Sequence, residues 1–129
     1  MSIITRYNQI MDRITIIKGS LEICVLSILY KKRSYGYEIM KELENYNIKL
    51  KGLGSIYPIL TRIKEKQLVN VTKEFGIDER PRIYYELNEK GIQFLKQEIK
   101  EWYEIQHDIR TLLTDNAMDL KEVELKNEI

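Results

Sequence analysis

The hydrophobic period of this chain changes once and then changes back. Up to Lys66 the apolar residues recur at steps of three and four. From Leu68 to Leu87 they alternate, and from Ile92 the steps of three and four return. Steps of three and four line one face of a helix, whereas alternation lines one face of a strand. Two short alternating runs leave room for a single hairpin, so helices must supply the rest of the core. The expected fold class is mainly α with a small β-hairpin.

The segments can be placed in order. Ile3, Tyr7, Ile10, Ile14 and Ile17 form a narrow seam on an N-terminal helix over 3–17, ended by Gly19. Ser20 is suited to cap a helix over 20–30. There Leu21, Ile23, Cys24, Val25, Leu26, Ile28 and Leu29 leave almost no polar face, so this helix belongs in the core. Cys24, the one cysteine, is then an inert core thiol, and no intrachain disulfide or cysteine metal cluster is open to the chain. A polar turn at 31–34 puts Ser34 in position to cap a helix over 35–46, with Ile39, Met40, Leu43 and Tyr46 facing inward. A loop over 47–54 closes on two glycines.

The next helix, from Ser55 to about Lys66, contains Pro58. With Ser55 as N-cap, Ile56, Tyr57 and Pro58 are the first three helical positions, whose N–H groups lack an intrahelical acceptor in any case. Proline there sets a start and breaks nothing. Ile56, Ile59, Leu60 and Ile63 cluster on one side. Tyr57, Thr61 and Lys64 are expected opposite them, flanked by Pro58 and Arg62. An aromatic hydroxyl, a second hydroxyl and cations suit contacts to phosphates and base edges.

Two runs, Val69–Val71–Lys73–Phe75 and Ile83–Tyr85–Leu87, joined by the turn 76–81 "GIDERP", read as the hairpin. Asn88 then caps a long helix with the seam Ile92, Leu95, Ile99, Trp102, Gln106, Ile109 and Leu113. That heptad, with one polar interruption, marks a helix that packs along another. The expected division is a 1–90 DNA-binding domain with its N-terminal helix, an 88–114 dimerisation helix, and an acidic 115–129 tail. A homodimer follows, with Ile3, Tyr7, Ile10 and Ile14 joining the C-terminal seam at the interface. The sequence leaves open whether the tail is ordered.

Charge supports this division. Residues 30–90 hold 13 Lys/Arg and 9 Asp/Glu, whereas 91–129 hold 5 and 9. A basic middle and an acidic end suit a polyanion meeting the middle alone. The longest run lacking charge and proline, 23–30, is far below the ~20 residues of a membrane span. No basic-then-apolar leader is visible, and a cytoplasmic protein without membrane partners is expected. No Ser/His/Asp set, glycine-rich phosphate loop or metal signature appears, His107 stands alone, and Glu98, Glu101 and Glu104 read as a solvated face. Neither an enzyme nor a cofactor is implied.

Three helices, a hairpin and a further helix make the plan of a winged helix-turn-helix. Helix 35–46 would be the supporting helix, 55–66 the recognition helix and the hairpin the wing. At this point the blocks "GSLEICVLSIL" (19–29), "YGYEIMKELE" (35–44), "GSIYPILTRIKEKQLV" (54–69) and "RPRIYYELNEKG" (80–91) resemble, in order and spacing, the PadR family of bacterial transcriptional regulators. The resemblance covers about residues 18–91. It implies a dimeric winged-helix repressor whose C-terminal helix drives dimerisation. Short members with one helix after the wing carry a tryptophan on it, and several bind flat hydrophobic compounds at the dimer centre and then lose affinity for DNA.

Carried over by position, Tyr57 and Arg62 fall on the recognition helix. Tyr35, Gly36 and Tyr37 fall at the N-terminus of the supporting helix, where free N–H groups seat a phosphate. Arg80 and Arg82 fall on the basic wing. Lys41, Ser55, Pro58, Thr61, Lys64 and Lys73 complete the candidate DNA contacts. The wing departs from the family pattern, with Ile83 and Glu86 where basic residues are common and with Asp78 and Glu79 in its turn, so a weaker hold on phosphate is implied. Trp102 has two readings, a dimer-core tryptophan or a stacking wall for a planar effector. The expected partners are double-stranded DNA with a pseudo-palindromic operator, a second copy of the chain and a planar hydrophobic small molecule. The alternative is a winged-helix module for protein–protein assembly that binds no operator.

Overall fold

The computed structural model describes residues 13–116 and Lys121. Ile3, Tyr7 and Ile10 lie outside the described residues, as does most of the 115–129 segment. The chain divides into two compact units, Met1–Lys96 and Gln97–Ile129.

Helix α1 (Arg13–Ile17) passes through a 3-10 turn, Lys18–Ser20, directly into α2 (Leu21–Lys31). Gly19 therefore lies within a tightened turn and does not separate two helices. Arg13 ties this start down by donating from Nε to the carbonyl of Asn47 at 3.1 Å. On α2 the buried residues are Leu21, Val25, Leu26 and Leu29, a single stripe. The expectation of a helix buried all round is corrected: Ile23, Cys24 and Ile28 are only half-buried and Tyr30 is exposed. Helix α2 packs on α3 and on the second strand of the hairpin, so only one stripe is covered. Burial still pushes the Cys24 thiol above its ordinary pKa.

Helix α3 (Gly36–Asn45) has Tyr35, in extended conformation, at its N-cap. Ser34 does not cap it. Its backbone instead exchanges two hydrogen bonds with Tyr85, at 3.0 and 2.9 Å, and its hydroxyl donates to the carbonyl of Lys32. Glu38 takes over part of the capping by accepting the N–H of Tyr35 at 3.3 Å. Ile39 and Leu43 are buried, but Tyr46, expected inside, is 65% exposed. The helix stops at Asn45 and Tyr46 already belongs to the exit turn, where Asn47 adopts a φ of 62°.

A 3-10 turn, Leu53–Ser55, leads into α4 (Ile56–Glu65). Ser55 already has helical dihedrals (φ −85°, ψ −21°) and makes no capping bond through its side chain, which corrects its expected role. A capping side chain needs an extended backbone beneath it. Pro58 sits in the first turn, as expected. Both α3 and α4 end in paired closing bonds: Ile48 N–H to Leu43 O and Asn47 N–H to Glu44 O, then Leu68 N–H to Ile63 O and Gln67 N–H to Lys64 O. These place Asn47 and Gln67 in the left-handed region usually held by glycine.

Strands β1 (Val69–Phe75) and β2 (Pro81–Leu87) pair antiparallel, with Val69 opposite Leu87 and Lys73 opposite Ile83. Their turn is closed by Glu79 N–H to Gly76 O at 2.9 Å. Burial is confined to the base of the hairpin, at Val69 and Leu87, and the rest is exposed enough to be a wing. Helix α5 (Glu89–Asn116) follows at once. Asn88 caps it, accepting the N–H of Gly91 at 2.8 Å while donating to Gln67 O at 2.9 Å.

The core of the first unit gathers Val25, Leu26 and Leu29 from α2, Ile39 and Leu43 from α3, and Ile56, Ile59, Leu60 and Ile63 from α4. Leu68, Leu87 and Leu95 close it from the hairpin base and the start of α5. Leu95 had been expected on the dimer seam. At 5% exposure it is packed inside its own chain.

Candidate nucleic-acid interface

The four buried residues of α4 leave the rest of its circumference exposed. Tyr57 and Lys64 form one edge of the exposed arc; Pro58, Thr61 and Glu65 hold its middle; Arg62 lies about 140° around the helix from Tyr57. The middle of the face is thus one hydroxyl, one proline ring and one carboxylate, and the cations flank it. Thr61 Oγ1 donates to the carbonyl of Tyr57 at 3.0 Å, which leaves its lone pairs outward as acceptors. Arg62 is turned toward α2, with Nε 3.5 Å from Glu22 Oε1, and Lys66 joins the same carboxylate at 3.6 Å.

Tyr57 rests on the N-terminus of α3. A β-carbon placed on Gly36 would stand 3.6 Å from Tyr57 Cε1 and 3.8 Å from Leu53 Cδ2, ordinary contact distances that put the ring directly beside this helix start. The ring remains 55% exposed. The first intrahelical bond of α3 runs from Ile39 N–H to Tyr35 O. The N–H groups of Gly36, Tyr37 and Glu38 precede it at the positive end of the helix dipole, where Gly36 is buried and the capping box of Tyr35 and Glu38 stands. The positive end of the α3 dipole, with the Glu38 carboxylate on it, thus lies beside the Tyr57 edge of α4. Nearby, burial and, second, the charge of the neighbouring Tyr57 phenol push the Tyr85 hydroxyl above its ordinary pKa. Tyr37 is exposed, with Lys41 Nζ 5.7 Å from its ring centroid. Lys41 also pairs with Glu44, which raises its pKa.

On the wing, Lys73 and Arg80 are exposed. Arg82, expected beside them, is instead held by Asp78 at 3.2 Å and lies 5.0 Å over the ring of Tyr35. Tyr35 meets Tyr84 edge to face at 5.3 Å, and Arg33 covers the other ring at 4.2 Å while pairing with Glu74. Two arginines and two tyrosines thus brace the wing against the N-terminus of α3. Arg33, Tyr84 and Ser34 went unrecognised as the brace in the sequence. The one local signal was a cation-rich turn, "KKRS", immediately before a helix. On the C-terminal unit, Ile99 and Trp102 are half-buried and Trp102 meets Tyr103 edge-on at 5.1 Å, while Ile109 and Leu113 are exposed. Ile14 and Ile92 are half-buried within the first unit. Among the described residues no set of three or more His, Cys, Asp or Glu could hold a metal, and no helix is long and apolar enough to cross a membrane.

A supporting helix, a recognition-type helix and a braced hairpin make this a winged helix-turn-helix protein of the DNA-binding class. The sequence profile of the transcriptional regulator PadR-like family matches residues 25–97, and the chain belongs to that family of regulators. A PadR-like transcriptional regulator from Bacillus cereus is similar in structure, with a TM-score of 0.65 and 31% identity over 75% of this chain and 94% of that one. An uncharacterized protein of Lysinibacillus sphaericus, protein X, is 30% identical over 104 residues, covering 77% of this chain and 93% of the relative. The transcriptional regulator YqjI of Escherichia coli K12 is 30% identical over 90 residues, which cover 64% of this chain and 44% of YqjI.

Proposed function

We propose that this chain is a homodimeric repressor that reads a pseudo-palindromic operator and releases it when a flat hydrophobic compound binds beside Trp102. The DNA-binding part is carried by one observation, the seating of Tyr57 on Gly36. It supports a reading in which the α3 N-terminus meets a phosphate beside the Tyr57–Thr61–Lys64 face, so that a backbone contact would register the recognition helix while side chains reach base edges. Tyr37, Lys41, Lys73 and Arg80 add exposed groups around that surface. The dimer is supported by α5, which exposes Ile105, Ile109, Leu112 and Leu113. Two-fold symmetry then calls for half-sites about 10 base pairs, or a multiple, apart.

Repression and release extend the resemblance to short PadR regulators and rest on the single tryptophan. A ligand acts only by preferring a dimer whose recognition helices are misplaced for the operator. Since α5 follows the wing directly through Asn88, a rotation of α5 is passed to the hairpin without a linker. The test is capture of random genomic fragments of the source organism, followed by binding at increasing salt. Phosphate contacts release counterions, so affinity should fall steeply. Quenching of Trp102 fluorescence by planar compounds that also dissociate the complex tests the effector. One observation favours a protein-docking module instead: Arg62 and Arg82 both already have a carboxylate partner. Salt-insensitive or absent DNA binding would favour that reading.

A further inference from the structure

Glu22 projects from the first turn of α2 toward the edge of α4, forty residues away in sequence. Its side chain is 22% exposed, and its Oε1 is buried without a hydrogen-bond partner of good geometry. The groups facing it are Arg62, through Nε at 3.5 Å, and Lys66, through Nζ at 3.6 Å. Lys66 also lies 5.2 Å from the Phe94 ring centroid. Two features separate this from an ordinary surface ion pair. The carboxylate engages arginine from the side, through Nε, which leaves the terminal Nη pair of the guanidinium fork available. Arg62 itself remains half exposed, at 49%. A guanidinium drawn toward a carboxylate at Nε is biased in direction and still presents the two parallel donors that match guanine O6 and N7 or two phosphate oxygens.

We propose that Glu22 is a positioning residue for base readout: it buttresses Arg62 so that the free end of the guanidinium meets one base pair in each operator half-site. This rests on the operator-binding reading above. Lys66 offsets the carboxylate, so that Glu22 does not repel the approaching phosphates. Closing of the loose 3.5 Å contact on binding satisfies Oε1. Arginine stays on Glu22 in the complex; the carboxylate orients the cation and does not compete with DNA for it.

The test begins with the DNA that wild-type protein selects from a random-sequence pool. Affinities for that site and for each of its single-base variants are then measured for wild type, Arg62→Ala, Glu22→Ala, Glu22→Gln and the double variant Glu22→Ala/Arg62→Ala. Arg62→Ala should flatten the preference at one base pair per half-site by at least about fivefold. Glu22→Ala should flatten the preference at that same base pair, with Glu22→Gln intermediate, because the amide oxygen still accepts from Nε. The double variant should be no worse than Arg62→Ala. Equal strengthening of binding to every sequence by Glu22→Ala would overturn the proposal, since Glu22 would then act only as a negative charge. Equal weakening at every sequence, with a lower melting temperature, would overturn it in favour of a purely structural role. Base preference that survives Arg62→Ala would overturn it too, yet leave operator binding standing. Wild type that selects no DNA would refute the operator reading itself.

Discussion

Gly91, in the first turn of α5, faces the carbonyl oxygen of Leu68 so closely that no β-carbon fits between them. A β-carbon there would also stand 2.9 Å from Leu87 Cγ. The obstacle is backbone, which cannot swing aside as a side-chain tip would. Gly91→Ala is expected to lose about 1–3 kcal/mol of stability, as forced overpacking does. A lower urea midpoint at unchanged slope checks this.

Asn88 makes two bonds at the same joint, accepting from Gly91 N–H and donating to Gln67 O. Asn88→Ala should cost about 1 kcal/mol for the lost cap. Asn88→Asp keeps the acceptor and loses the donor, so its melting temperature should fall between those of wild type and Asn88→Ala.

Gln67 holds a φ of 60° at the end of α4. A left-handed conformation costs an ordinary side chain about 1 kcal/mol or more, and asparagine less. Gln67→Gly should therefore raise the melting temperature, and Asn47→Gly, at the equivalent end of α3, should raise it less. Thermal melts of the two variants side by side decide it.

Tyr57→Ala and Lys64→Ala should both weaken operator binding while leaving the fold intact, because both side chains point out of the core. Their salt dependences should differ. Loss of a lysine–phosphate contact flattens the slope of log affinity against log salt by about one unit. Loss of the tyrosine should leave that slope nearly unchanged. Titrations at several salt concentrations by fluorescence anisotropy separate the two.

Ile109 and Leu113 are both more than half exposed on α5. Each such side chain contributes roughly 1.5–3 kcal/mol when fully buried. Leu113→Glu combined with Ile109→Glu should convert a dimer into a 15.5 kDa monomer by light scattering at micromolar concentration. The melting transition of the helix-and-hairpin unit should persist.

Much of this architecture could be read from spacing. The exposed start of α4 with Pro58 inside its first turn, the hairpin over 69–87 and the Asn88 cap all depend on residues within a turn or a strand pair of one another. Their energetics are local, so their pattern is local too. The errors have a common origin. Ser34 and Ser55 have the residue type of a cap, but Ser34 is drawn into backbone pairing with Tyr85 and Ser55 is already wound into a helical turn. Tyr46 keeps the helical period one residue beyond the point where the helix stops.

By itself the sequence determined the element order, the faces of α3 and α4 that meet the core, and the family. Only the tertiary structure decided which cations remain at large. Arg62 is met by Glu22, Arg82 by Asp78 and Tyr35, and Arg33 by Glu74 and Tyr84. Leu95 was likewise assigned to its own core, and glycine was required at Gly91. Periodicity reports which side of an element is apolar. It carries no record of which distant side chain stands opposite, because that is fixed only when the packed core brings separate elements within a few ångströms of each other.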